Sequence, residues 1–201
     1  MKNLCVLIIA VSCFGNVYSQ TAEEFYNTGI KKYELHDYKG AIIYFTKAIK
    51  LDSNNETYFA NRGIAHSYNN NKLEAVKDLT KALVISPNDS ELYSARAKIK
   101  LDLLDLRGSI LDFNRAIEIN PIEKDFEDRG LVYLLLKDYK NSIIDNTKAI
   151  EINGSNSNAY YNRAIAKLAL NFKDDDYCLD LSKAGELGDQ LAYELIKKHC
   201  N

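Results

Sequence analysis

Residues 22–55 read AEEFYNTGIKKYELHDYKGAIIYFTKAIKLDSNN. Two apolar stripes at helical spacing flank a short polar turn, so the stretch predicts two amphipathic helices back to back. The pattern then restarts. Phe25, Gly29, Ala41, Phe45 and Ala48 recur as Phe59, Gly63, Ala75, Leu79 and Ala82, each 34 residues further on. A fixed period of roughly 20 to 50 residues marks an array of stacked repeats.

Five repeats follow from this register: 22–55, 56–89, 90–122, 123–156 and 157–188, the third one residue short in its closing turn. Numbered within each repeat, position 4 is Phe25, Phe59, Tyr93, Phe126 and Tyr160, and position 8 is Gly29, Gly63, Ala97, Gly130 and Ala164. Position 20 is Ala41, Ala75, Ser109 and Ser142, and position 27 is Ala48, Ala82, Ala116 and Ala149. Small residues at 8, 20 and 27 let helix backbones approach, while bulky ones at 4 and 24 fill the space beside them. Pro87 and Pro121 both fall at position 32, in the turn after the second helix, where a missing N–H costs nothing. A lone helix of about 13 residues is marginal in water, so each must bury its stripe on the next.

These positions resemble the tetratricopeptide repeat family over residues 22–156: an aromatic residue, then Gly or Ala four positions on, later Ala-x3-Phe, Ala and Pro. The resemblance implies an all-α fold, a right-handed α-solenoid of antiparallel helix pairs with a concave groove. It implies binding of a peptide or protein segment, without catalysis or cofactor. The fifth repeat departs from the pattern. Its turn carries one extra residue, Asp174-Asp175-Asp176 stands where the second helix begins, and Tyr177 takes a place that is small elsewhere, which predicts looser packing. The stretch 183–189 (KAGELGD) is similar to junctions of Sel1-like repeats, and residues 189–201 are expected to form a C-terminal capping helix.

In this family the concave face is lined by positions 2, 5, 9, 12 and 13 of each first helix. Those positions include Tyr26, Ile30, Tyr33, Ile64, Tyr68, Lys98, Leu131, Tyr161 and Ile165, an apolar and aromatic stripe suited to an extended or helical peptide. Leu101 and Leu134 share the register, and the alternative for them is core packing. The family's carboxylate clamp, which holds acidic C-terminal peptides, has Tyr26, Ile30, Glu91 and Ala95 in four of its five places, with only Asn61 matching. That ligand class is not expected.

The chain has 201 residues, of which 46% are hydrophobic and 27% charged, with a formal net charge of −2. Such a balance does not favour nucleic acid. Residues 1–19 read as an export signal: Lys2, an apolar run over Leu4–Val11, and Val17-Tyr18-Ser19 as a cleavage boundary. The run is too short to span a membrane, which takes about 17–25 apolar residues. The protein is therefore expected to be exported, of bacterial type, periplasmic or secreted. Ala10-Val11-Ser12-Cys13 keeps open a lipoprotein anchored through Cys13, and a buried N-terminal helix is the remaining reading.

With Cys5 and Cys13 in the leader, Cys178 and Cys200 remain. They stand at the start of one helix and the end of the next, neighbours if those helices are antiparallel, and an exported chain favours a disulfide there. The alternative is two free thiols. His36, His66 and His199 fall in different repeats without metal-ligand spacing, and the three consecutive acids at 174–176 suit a helix start better than an ion. Asn55, Asn88 and Asn153 head glycosylation-type triplets in inter-repeat turns, where Asn is common anyway. Arg62, Arg96, Arg129 and Arg163 all fall at position 7; this file could read an anionic ligand or pair with acids of neighbouring helices. The functional expectation is a non-enzymatic interaction scaffold. A self-associating envelope protein and an enzyme with an unrecognised hydrolase or transferase site are the alternatives.

Overall fold

The computed structural model describes residues 20–171 and 176–200. The reading of residues 1–19 and of Asp174 and Asp175 lies outside them. The described residues form eleven α-helices and no strands: α1 (Ala22–Glu34), α2 (Tyr38–Leu51), α3 (Glu56–Tyr68), α4 (Lys72–Ile85), α5 (Ser90–Asp102), α6 (Leu106–Ile119), α7 (Glu123–Leu135), α8 (Tyr139–Ile152), α9 (Ser157–Ala169), α10 (Asp176–Glu186) and α11 (Gln190–His199). Each helix packs on the next in the chain, and the odd-numbered helices α3, α5, α7 and α9 also touch one another in series. This is an α-solenoid of antiparallel pairs, with the first helices of the repeats forming one continuous face.

Local chemistry sets the helix ends. Thr21 and Glu24 form a capping box on α1, and Asn55, Asp89 and Asn156 cap α3, α5 and α9 through side-chain oxygens. Asp37, Asp105 and Asp138 do the same for α2, α6 and α8. Between the paired helices, position 15 of every repeat is left-handed: His36, Asn70, Leu104, Lys137 and Asn171 have φ between 52° and 63°. The N–H that follows reaches back to the last helical turn in a Schellman closure, as in Asp37 N to the Lys32 carbonyl at 2.9 Å and Asp105 N to Lys100 at 2.9 Å.

Packing follows the repeat. Ala41, Ala48, Ala75, Ala82, Ser109, Ala116, Ser142 and Ala149 are fully buried at positions 20 and 27. A Cβ on Gly29 would stand 2.6 Å from the Phe45 ring, so position 8 is small because position 24 reaches over it. The file of arginines ties the repeats together. Arg62, Arg96, Arg129 and Arg163 each grip, with Nε and Nη2, both oxygens of Asp78, Asp112, Asp145 and Asp180 on the second helix of the same repeat, at 2.6–2.9 Å. Each Nη1 then bonds Thr46, Thr80, Asn114 or Thr147 of the preceding repeat. The guanidinium also lies over the position-4 ring of Phe59, Tyr93, Phe126 or Tyr160 at 5.6–5.7 Å. Of the two readings of this file, the structure displays the one in which it is a ladder of internal rungs.

At the C-terminal end Tyr177 is only partly buried, where Ala41, Ala75, Ser109 and Ser142 are fully buried. The Tyr177 ring packs on the cluster of Ala164, Leu181, Ala184 and Ala192, and its hydroxyl donates to the His199 carbonyl at 3.1 Å. Helix α11 packs on α10 as α3 packs on α2 and α5 on α4. Beside it Cys178 and Cys200 are joined as a disulfide, with Cα atoms 5.8 Å apart.

Candidate functional site

The first helices present their outward positions along one face, and two adjoining hollows lie in its middle. One, of about 510 Å³, is lined by Ile64, Ser67, Tyr68 and Lys72 on one side and Ala95, Lys98, Ile99 and Asp102 on the other. The second, of about 420 Å³, lies between α5 and the start of α7 and is lined by Ser90, Glu91, Ser94, Ala95, Lys98, Asn120, Ile122 and Asp125. Ala95 and Lys98 belong to both, so Lys98 forms the ridge between them. Its ammonium leans toward Asp128 at 3.4 Å.

Of the residues expected on this face, Ile64, Tyr68 and Lys98 meet in the first hollow, with Tyr68 63% exposed. Tyr26, Ile30 and Tyr33 are half-buried and pack on Ala41, Phe45 and Ala65. Tyr26 sits between the rings of Phe45 and Tyr58, and Asn61 donates to its hydroxyl at 3.3 Å. The one residue that matched the carboxylate clamp is thus occupied within the protein. Tyr33 joins Tyr38 and Tyr68 in a three-ring cluster with centroids 5.2–5.7 Å apart. Burial and the neighbouring Tyr68 and Tyr38 push the Tyr33 phenol up to about 12. Tyr161 packs into the cap cluster, where burial raises its pKa, and Leu101 packs on Ala97, Phe113 and Val132. Leu131, Ile165 and Leu134 are partly buried. The expected stripe therefore divides: its two ends largely support the array, and its centre opens.

Register alone did not reveal the acidic side of this centre. Asp125, at position 3 of the fourth repeat, is 1% exposed; its Oδ2 accepts from the Ser94 hydroxyl at 2.7 Å, and its Oδ1 has no partner. Burial raises its pKa, opposed by the Ser94 hydrogen bond and Lys98. Glu127 beside it is held by Lys124 at 2.8 Å and by Asn156 at 2.8 Å. The signal in the sequence was the run Glu123-Lys124-Asp125-Phe126-Glu127-Asp128, whose acids exceed what a helix start requires.

The histidines are dispersed. His36 Nδ1 lies 2.9 Å from the Tyr38 hydroxyl in the first turn, His66 faces Asp78 at 3.9 Å, and His199 ends α11. Among the described residues, no group of three or more His, Cys, Asp or Glu side chains is placed to hold a metal ion. No helix among them is long and apolar enough to cross a membrane.

Residues 32–55 match the family model for the tetratricopeptide repeat. Among curated proteins, human serine/threonine-protein phosphatase 5 is 27% identical over 104 residues, which is 52% of this chain and 21% of that protein. The heat shock protein sti1 homolog of Schizosaccharomyces pombe is 34% identical over 85 residues, 42% of this chain and 14% of its own length. The match thus spans about a fifth or less of these relatives. Among solved structures, MamA protein superposes with a TM-score of 0.77 at 23% identity, covering 89% of this chain and 94% of that one. YrrB, described as a TPR protein with an unusual peptide-binding site, gives 0.76 at 18% identity over 88% and 92%. Residues 32–55 thus match the tetratricopeptide repeat itself, and the array as a whole has the fold of tetratricopeptide-repeat proteins.

Proposed function

We propose that this protein is a non-enzymatic scaffold that binds a peptide or protein segment along the face formed by α3, α5 and α7. The observation that carries the reading is the pair of adjoining hollows at Ile64, Tyr68, Lys98 and Asp125, open on a face whose lining contains none of the arginine rungs. The fold supports it, because tetratricopeptide-repeat proteins generally mediate protein–protein contacts and one structural neighbour is described by its peptide-binding site. The protein acts outside the cytoplasm in this reading. The sequence of residues 1–19 and the Cys178–Cys200 bond, a linkage that persists in oxidising compartments, support export.

A photo-crosslinking side chain placed at Tyr68, and in a second variant at Lys81 on α4, tests the groove. Adducts to a partner from position 68 and not from 81, identified by mass spectrometry in cells making the full chain, are expected. Equal labelling from both positions, or none from 68, overturns the groove reading. The non-reduced intact mass of the product checks export separately: a chain beginning at Gln20 is expected, a lipid on Cys13 moves the protein to a membrane surface, and an uncleaved Met1 chain overturns export.

A further inference from the structure

The second hollow is chemically one-sided. Its walls carry Glu91, Asp125, Ser90 and Ser94, and the one cation among its described lining residues, Lys98, is paired with Asp128 at 3.4 Å. Lys124, in the first turn of α7, is held by Glu127 at 2.8 Å and Asp128 at 3.3 Å. Among the described residues Glu91 and Asp125 form no ion pair, and Asp125 Oδ1 is buried with no donor at all. A buried carboxylate oxygen without a donor is costly, and a charged donor brought by a ligand removes that cost. The site has too few converging oxygens for calcium, which takes 6–8, and Asp125 Oδ2 is already engaged by Ser94. It has the form of a slot for a cationic group at the end of a chain, next to an apolar and aromatic hollow that takes a neighbouring side chain.

We propose that the hollow between α5 and α7 receives the ammonium or guanidinium group of a lysine or arginine side chain of the bound peptide, with Asp125 Oδ1 and Glu91 as its acceptors. The proposal rests on the groove reading above and gives the partner its chemistry: a basic segment with an aromatic or aliphatic anchor about one repeat away, which fills the hollow at Ile64, Tyr68 and Ile99. The anchor supplies apolar burial, and the cation supplies specificity and a dependence on ionic strength. Ser94 fixes Asp125 in place by holding its other oxygen.

The probes are three fluorescein-labelled dodecapeptide pools, each peptide carrying one tyrosine in a Gly/Ser/Ala background. The pools differ only in two further residues, which are both Lys, both Gln or both Glu. By fluorescence anisotropy, the Lys pool is expected to bind about tenfold tighter than the Gln pool, the value of one charged hydrogen bond, with the advantage shrinking as salt is raised. Asp125→Asn and Glu91→Gln should each reduce that advantage, while Tyr68→Ala weakens all three pools together. Asn at 125 still accepts from Ser94, and Glu91 is exposed, so both variants are expected to fold, as their melting curves will verify. Equal binding of Lys and Gln pools overturns the proposal and leaves the groove reading standing. An advantage that survives both substitutions also overturns it, because the attraction then lies elsewhere on the acidic face. If no pool binds, the groove reading falls together with the proposal.

Discussion

Phe45, Leu79 and Phe113 at position 24, and Leu181 one place later because of the longer turn of the fifth repeat, are fully buried against the small position 8, but the fourth repeat places Asn146 there. Its Nδ2 donates to the Ser142 carbonyl at 2.9 Å, while Oδ1 is buried without a partner and a Cβ on Gly130 would stand 2.5 Å from Nδ2. An unsatisfied buried acceptor costs about 1–3 kcal/mol. Since Leu79 fits over Gly63 in the equivalent place, Asn146→Leu should stabilise the array by about 1–2 kcal/mol, read as a higher urea midpoint; a lower midpoint means the fourth repeat is narrower than the second. Asp125 also has a buried oxygen without a partner, and unlike Asn146 it titrates. Its folded pKa is raised by burial, so it penalises folding above that pKa and not below its unfolded value near 4. Asp125→Asn is therefore expected to melt a few degrees higher than the parent at pH 7, with the two converging as pH falls below about 4. A difference independent of pH would assign the effect to packing.

Among the helices, the rungs are alike in geometry but not in redundancy. Asp112 is gripped by Arg96 and also by Lys100 at 2.8 Å, whereas Asp145 has Arg129 as its cation. Removing one partner of a mostly buried pair leaves the other charge uncompensated, at about 3–5 kcal/mol for full burial. Arg129→Met should thus cost about 2–4 kcal/mol and Arg96→Met clearly less, compared by denaturant melts; equal losses would mean that stacking on Phe126 and Tyr93, not the carboxylate, carries the rung. Helix α7 differs from the other first helices at its start. The third repeat is one residue short there, so Ile122 stands at the cap with no side-chain bond, where α3, α5 and α9 have Asn55, Asp89 and Asn156. Ile122→Asn is expected to gain about 0.5–1 kcal/mol, visible as slower amide exchange in the first turn of α7. Both effects belong to the helix and should leave distant repeats unchanged.

For the molecule as a whole, stability is a sum over neighbours, and the last pair of helices is its most dependent part. Helix α11 has ten residues and is held by Tyr177, by Ala192 in the cap cluster and by the Cys178–Cys200 bond. Reduction, or Cys200→Ser, should destabilise this end by about 2–4 kcal/mol. Hydrogen exchange is expected to rise over residues 176–200 while α3–α6 keep their protection; uniform loss would mean that the array unfolds as one unit. The repeat register, the two helices within each repeat and the adjacency of Cys178 to Cys200 all follow from short-range pattern, because each depends on residues within one or two helices of each other; the left-handed residue at position 15, which includes Leu104 and Lys137, carries no such signal. The stretch 22–55 alone contains the repeat pattern, and stacking repeats it. What the pattern could not decide was the use of each polar side chain. Arg62 meets Asp78 sixteen residues away and Thr46 sixteen residues back, and Ser94 meets Asp125 across thirty-one. Those meetings are fixed by how neighbouring pairs stack in space, so only the tertiary structure could turn the arginine file into a ladder and place an unpaired carboxylate in the groove.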